Sequence, residues 1–269
     1  MMLSRRRKTF ISVIVPSFRK ENIIEESLVH VKIALDQIKY DYEIIVVVDG
    51  KIDKTFENAK KVKSSKIKVV GYEHNHGKGY AIRYGMARSK GNIVCFIDSG
   101  LDLNSKGLAI LIEYLELHDA DIVVGSKRHA DSVVIYPWNR RIISFLSQVF
   151  IRFLFGLNVG DTQVGMKVFK RNVVEDVMPR LLVKKFAFDI EVLVVAYSLG
   201  YTKIIEAPIE LNYDFRGSLL TKNIFNELIR TLWDTIAIFY RLKILGYYTD
   251  RNKRKWKYDP ELEFKVNIG

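Results

Sequence analysis

Apolar residues in the first half of the chain recur in two alternating patterns. Phe10 to Val15 is a β-branched run ending at Pro16, and Glu21 to Lys39 then carries Ile24, Leu28, Val31, Leu35 and Ile38 at helical spacing. The pair predicts a strand, a loop and a helix. The pattern repeats: Glu43 to Val48 reads as a strand ending at Asp49-Gly50, followed by a helical stretch from about Asp53 to Lys63. Ile67 to Gly71 precedes a helix over Gly79 to Ser89, Asn92 to Ile97 precedes a helix over Ser105 to Leu117, and Asp121 to Gly125 is a fifth strand. Strands that are apolar throughout are buried on both faces, so the expected fold is α/β: a mostly parallel sheet with flanking helices. Ligands in such sheets bind beyond the carboxyl ends of the strands, where Ser17, Asp49, Asp98 and Ser126 stand.

Beyond Ser126 the alternation stops. A loop runs to Trp138, then come an apolar helix from about Ile142 to Leu157, the segment Asp161 to Lys170, a helix from about Asp189 to Leu199, a strand near Thr202 to Leu211, and a long helix from about Asn223 to Leu245. The long helix aligns Phe225, Leu228, Ile229, Leu232, Ile236 and Phe239 on one stripe, a pattern that more often packs on a core. Here Trp233, Tyr240, Tyr247 and Tyr248 border it, and Arg251, Lys253, Arg254, Lys255 and Lys257 follow, which suits anionic lipid headgroups. The most apolar stretch, Ile142 to Gly160, contains Arg152, Ser144, Ser147, Gln148 and Asn158 and reads as interfacial rather than spanning. The expected division is a basic arm over 1–9, a catalytic domain over 10–220, and a membrane-associating helix with a basic tail over 221–269.

Composition narrows the partners. Lys and Arg number 43 against 31 Asp and Glu, giving +12 and an attraction to anions: phosphorylated substrates, an anionic bilayer or nucleic acid. No nucleic-acid-binding signature accompanies the charge. A single Cys95 inside an apolar strand excludes an internal disulfide framework and fits a reducing compartment.

The candidate chemistry begins at Asp98-Ser99-Gly100-Leu101-Asp102, where a tight, glycine-containing turn offers two carboxylates. A hard divalent cation bound together with a diphosphate needs one or two carboxylates, with waters and phosphate oxygens completing its shell. Alone, Asp49 or Asp98 reads equally well as a turn or capping residue. Asn75 to Gly85 places Gly77, Lys78 and Gly79 at a helix start with Arg83 following, a weak phosphate-cradle signal without the Gly-Lys-Ser/Thr of a Walker loop. His74 and His76 have no third ligand at metal spacing.

Together these residues resemble the family 2 inverting glycosyltransferases of GT-A (Rossmann-like) fold. The features are Pro16-Ser17-Phe18 with Glu21, Val47-Val48-Asp49-Gly50, Gly77-Lys78-Gly79, and Asp98 after a strand. Asp161-Thr162-Gln163-Val164-Gly165-Met166-Lys167-Val168-Phe169 and Phe188-Asp189-Ile190-Glu191 are similar to segments of the dolichyl-phosphate glucosyltransferases, with the mannosyltransferases close by. The resemblance implies that Pro16, Phe18, Glu21, Asp49, Lys78 and Arg83 surround the nucleotide. It further implies Mg²⁺ or Mn²⁺ on Asp98, which with Asp102, Arg128 and Arg140 forms the catalytic set. The acceptor phosphate is expected at Lys127, Arg128, Arg140, Arg141 and Gln163, and the donor diphosphate at Arg216 and Ser218. The family's Asp-x-Asp is Asp98-Ser99-Gly100 in this chain, and Asp102 is inferred to supply the second carboxylate.

The activity implied is inverting transfer of a hexose, glucose favoured, from a nucleotide-diphosphate sugar, UDP-glucose favoured, to dolichyl or polyprenyl phosphate. The place implied is the cytoplasmic face of a membrane, by peripheral or monotopic attachment. The competing readings are a GDP-mannose-dependent mannosyltransferase, a polysaccharide-directed transferase, an inactive nucleotide-sugar-binding scaffold motivated by Gly100, and a nucleic-acid-binding protein motivated by charge alone.

Overall fold

A computed structural model of the chain describes residues 9–135, 138–212, 224–249, 256–262 and 264–267. Strand β1 (Phe10–Ser17) lies inside a seven-stranded sheet with β2 (Asp41–Asp49) and β3 (Ile67–Tyr72) to one side and β4 (Ile93–Ile97) to the other. In register, Ile14 sits between Ile45 and Phe96. Beyond β4 come β7 (Met166–Lys170), β5 (Ile122–Ser126) and β8 (Ile204–Pro208), in the order β3-β2-β1-β4-β7-β5-β8. All pairings are parallel except those of β7, which runs antiparallel to both β4 and β5.

The period of two along β1 divides the core. Val13 and Val15 face a layer containing Leu28 and Leu35 of α1 (Ile24–Asp36) and Leu108 and Leu111 of α4 (Gly107–Leu117). Ile14 faces the other layer, with Ile82 of α3 (Lys78–Ala87) and Leu193 of α7 (Phe188–Ser198). Full burial of each such side chain contributes about 1.5–3 kcal/mol, so a strand apolar on both faces is held from both. The small helices α2 (Thr55–Lys61) and α6 (Arg171–Val177) complete these layers.

Three elements differ from the pattern-based expectation. Met166–Lys170, left without an element, is the inserted strand β7. Because it runs backwards, its first residues and the loop before them arrive at the edge where β4 and β5 end. The strand expected near Thr202 to Leu211 divides into β8 and β9 (Glu210–Asn212), which pairs with β6 (Val133–Ile135). Within the expected basic tail, β10 (Trp256–Asp259) and β11 (Phe264–Asn267) form an antiparallel hairpin. It packs on the protein through Phe264, 5.5 Å from the Arg83 guanidinium, and Trp256, 5.2 Å from that of Arg180.

Helix α5 (Trp138–Phe155) turns Gln148, Ile151 and Phe155 inward at spacings of three and four, while Phe145, Leu146, Val149 and Phe153 are exposed. It packs beside α8 (Ile224–Phe239), with the rings of Phe155 and Phe239 6.1 Å apart. Among the described side chains of α8, Thr235 and Ile238 are buried, and Leu228, Ile229, Leu232, Trp233 and Ile236 are exposed. Thus the stripe from Leu228 to Ile236 faces outward, while Phe239 turns in against Phe155. No described helix is long and apolar enough to cross a membrane.

Candidate active site

The carboxyl edge of the sheet gathers the charged groups. Asp49 ends β2 and is buried, and its carboxylate accepts four hydrogen bonds. Oδ1 receives the Tyr72 hydroxyl at 2.9 Å and the His76 backbone N–H at 2.7 Å; Oδ2 receives the Asn75 side chain at 2.7 Å and the Gly77 N–H at 2.9 Å. All four lone-pair directions of a carboxylate are therefore used, and Asp49 fixes the loop that enters α3. Gly77 enters with φ +105°, and a Cβ there would stand 2.4 Å from the Lys184 carbonyl oxygen, so glycine permits the approach.

That loop delivers Lys78, the first residue of α3, to Asp98, which follows β4. Lys78 Nζ lies 2.9 Å from Asp98 Oδ1 and 3.2 Å from Oδ2, and 3.0 Å from Asp189 Oδ2 on the first turn of α7. The other Asp189 oxygen accepts from Lys167 Nζ at 2.5 Å, and Lys167, wholly buried on β7, also donates to the Val164 carbonyl at 2.7 Å. Two carboxylates and two ammonium groups thus alternate in a line. Burial alone would pull the Lys78 ammonium down, but Asp189 and Asp98 outweigh it and hold it above the ordinary lysine range. Lys167 has one carboxylate partner and Lys78 as a repelling neighbour, so burial prevails and lowers it.

Strand β7 closes this edge. The Asp98 N–H donates to the Gly165 carbonyl at 2.8 Å, and a Cβ on Gly165 would lie 1.9 Å from Asp98 Oδ2. Any side chain at 165 displaces the carboxylate. A Cβ at Gly100 would lie 3.4 Å from Asp102 Oδ2, so the Asp102 carboxylate reaches back over the position where the second acid of an Asp-x-Asp would project. Lys20, half-buried after β1, is lowered by burial, and the charges of Asp98 and Asp102 oppose the shift.

The expected acceptor residues lie on the next loops. Lys127 is pinned to Asp161, whose Oδ2 accepts its N–H at 3.1 Å and pairs with its Nζ at 3.2 Å; the Gln163 N–H meets Oδ1 at 3.4 Å. Arg128 is exposed, with its guanidinium 5.4 Å from the ring centre of Phe145 on the outer face of α5. Arg140 and Arg141 fall in the first turn of α5. Arg216 and Ser218 lie outside the described residues.

Of the residues expected around the nucleotide, Pro16 is buried in β1 opposite Val47 and Phe18 is half-exposed just beyond it. Glu21 ties down the start of α2, accepting the Lys54 N–H at 3.1 Å on its side chain and the Asn58 amide at 2.8 Å on its carbonyl. Arg83 departs from its expected place beside the nucleotide. It is buried, donates from Nε to the Met178 carbonyl at 3.1 Å and faces Phe264 of the C-terminal hairpin. Five residues after Lys78 at about 100° each, it points about 140° away around α3.

Lys20 and Lys167 were missed in the sequence. For Lys167 the available signal was a lysine inside an apolar run, because a buried ammonium needs a partner; Lys20, in the loop after β1, carried none. Glu191 also has a defined duty: buried, it accepts the Leu182 and Val183 N–H groups and the Tyr248 hydroxyl, fastening the segment after α8 to α7.

With the geometry in view, comparison with known proteins decides the family. The profile of glycosyl transferase family 2 matches residues 12–178. The chain belongs to that family. The transferase is 28% identical over 255 residues to a dolichyl-phosphate beta-glucosyltransferase of Dictyostelium discoideum, covering 89% of this chain and 76% of the relative. It is 30% identical over 229 residues to the human protein of that description, covering 78% and 69%. Among solved structures, glucosyl-3-phosphoglycerate synthase of Mycobacterium tuberculosis in complex with Mn²⁺, UDP and glucosyl-3-phosphoglycerate superposes with a TM-score of 0.63 at 19% identity, covering 93% of this chain and 85% of that one. Mannosyl-3-phosphoglycerate synthase of Rubrobacter xylanophilus gives 0.66 at 14% identity, covering 96% and 85%. These likenesses bear out the GT-A architecture and the hexosyltransferase class expected from the sequence.

Proposed function

We propose that this transferase moves a hexose, with glucose preferred, from a UDP-sugar to a polyprenyl phosphate of the dolichyl type while resting on the cytoplasmic face of a membrane. One observation carries the reading: Lys127 and Arg128 follow β5 at the same edge of the sheet at which Asp98 follows β4, and the Arg128 guanidinium lies 5.4 Å from the ring centre of Phe145 on the exposed apolar face of α5. The named relatives supply the acceptor class.

Asp98 and Asp102 fit a divalent cation bound together with a diphosphate, because Asp102 fills the space over Gly100. Those two residues would hold Mg²⁺ or Mn²⁺, which when bound neutralises charge on the departing diphosphate. Pro16, Phe18, Glu21 and the loop ordered by Asp49 form the nucleoside end, and Lys78, with Arg216 and Ser218, meets the diphosphate. Lys127, Arg128, Arg140, Arg141 and Gln163 receive the acceptor phosphate; guanidinium forks suit its oxygens. An acceptor phosphate oxygen attacks the anomeric carbon in line, a carbon–oxygen bond forms as the bond to the β-phosphate breaks, and the nucleoside diphosphate leaves with the electron pair. The configuration inverts. A phosphate nucleophile is already anionic, so positioning and charge stabilisation dominate over proton abstraction.

The deciding assay is transfer of labelled hexose from UDP-glucose, and in parallel GDP-mannose, to dolichyl phosphate in detergent. Lipid-linked product from UDP-glucose that disappears with EDTA and in Asp98→Ala is the expected result. Product from GDP-mannose instead would reassign the donor, and none from either, with folded protein, would reject the donor–acceptor pairing.

A further inference from the structure

We infer that Asp189 and Lys167 are positioning residues that hold Lys78 where it meets the donor diphosphate. The inference rests on the reading of Lys78 given above. A lysine side chain loses about 2 kcal/mol of rotamer freedom when a single geometry is imposed on it, so a free lysine grips a phosphate inefficiently. Lys78 is already fixed: its side chain is 15% exposed and its ammonium touches two carboxylates. Those carboxylates differ. Asp98 is 42% exposed on its side chain and stands at the open edge where cation and diphosphate would enter. Asp189 is 3% exposed, and its second oxygen is held by a lysine with no exposure at all.

When ligands claim Asp98, the Lys78–Asp98 contacts are the ones that can give way. Asp189 cannot follow, because Lys167 clamps it and is itself tied to the Val164 carbonyl, one residue before the glycine packed against Asp98. Lys78 therefore keeps an anchor at Asp189 and swings on it toward the incoming phosphate oxygens. Helix capping does not account for Asp189. The cap position of α7 is Ala187, the Asp189 side chain makes no cap hydrogen bond, and a first-turn acid serving the helix dipole alone needs no buried lysine. The ordering of charges, Asp98–Lys78–Asp189–Lys167, also keeps the resting site neutral until an anionic donor arrives.

The test separates diphosphate recognition from folding. Binding of UDP and of uridine is measured by calorimetry for wild type, Asp189→Asn, Lys167→Met, Lys78→Met and the Asp189→Asn/Lys78→Met double variant, each with a thermal melt. Asp189→Asn is expected to weaken UDP about tenfold, equivalent to ~1.4 kcal/mol, while uridine stays within about twofold. In the Lys78→Met background Asp189→Asn should add little, because the two act as one unit. Lys167→Met, which leaves an apolar side chain in an apolar strand, should weaken UDP in the same selective way and stands in if Asp189→Asn does not fold. Equal losses for UDP and uridine, or full additivity in the double variant, would overturn the inference. Wild type that binds UDP yet transfers nothing to dolichyl phosphate rejects the acceptor assignment and leaves this inference standing; Lys78→Met that binds UDP normally rejects the role of Lys78 itself.

Discussion

Helices α7 and α8 are both built largely of apolar residues, and the protein uses them in opposite ways. In α7 every residue from Phe188 to Ala196 is buried, including the acids Asp189 and Glu191, each of which has protein partners. In α8 the apolar stripe from Leu228 to Ile236 looks away from the protein, with Trp233 68% exposed and Leu232 45%. A helix apolar all round belongs to an interior, whereas the outward stripe beside the exposed face of α5 is left uncovered by the described residues. On the function proposed above, the difference separates the element that shapes the site from the elements that would bring it to its acceptor.

Paired substitutions test that division most strongly. Leu193→Ala on α7 removes a fully buried side chain and should lower unfolding free energy by about 2–5 kcal/mol. Leu232→Ala on α8 should change it by less than about 0.5 kcal/mol, as surface substitutions do. Urea denaturation of the two variants checks this, and a comparable loss at Leu232 would show that the α8 stripe is packed against protein.

The next contrast is in vesicle binding. Replacing Leu232, Trp233 and Ile236 together by serine should leave the melting transition near that of wild type but reduce partitioning onto anionic vesicles about a hundredfold, at ~1 kcal/mol per half-inserted side chain. Leu193→Ala, once folded, should partition like wild type. If co-sedimentation shows the triple variant binding vesicles as well as wild type, the α8 face is not the bilayer contact.

The same contrast explains what the sequence could reveal. Strands β2, β4 and β5 were legible because each is centred on an unbroken apolar run, and β1 because only the small Ser12 interrupts its run. Strand β7 was not, because Lys167 interrupts its run, and the partner that makes a buried lysine tolerable, Asp189, stands 22 residues later on another element. The stripe of α8 was visible, but its direction was not: a stripe facing a core and one facing away have the same spacing. Asp98, Asp102 and Lys78 were found through their turns and glycines, and the structure gathers them at one edge. Arg83, implied beside the nucleotide by the resemblance, lies on another side of α3 from Lys78, buried against the Met178 carbonyl and Phe264, a direction that spacing along the sequence alone does not show. The C-terminal hairpin was hidden by the lysines and arginines around it, which read as a tail.

The smallest expected effect concerns the acid through which α7 fastens the segment after α8. Burial pushes the Glu191 carboxyl above the ordinary glutamate range, and the Tyr248 hydroxyl, the Val183 and Leu182 N–H groups and the Arg241 charge oppose this without cancelling it. A carboxyl raised on folding binds its proton more tightly in the folded state. Its contribution to stability is therefore complete below the unfolded value and is lost as pH rises through the folded one. Each unit of upward shift corresponds to about 1.4 kcal/mol. Glu191→Gln keeps the shape and cannot titrate, so the stability of wild type relative to this variant should decline as pH is raised above the ordinary glutamate range. Urea titrations of both proteins across that range give the difference directly, with the other titrating groups cancelling between them. A difference that stays flat, or that grows in favour of wild type, would mean that the donors around Glu191 outweigh its burial and that the link between α7 and the segment after α8 is an ionised one.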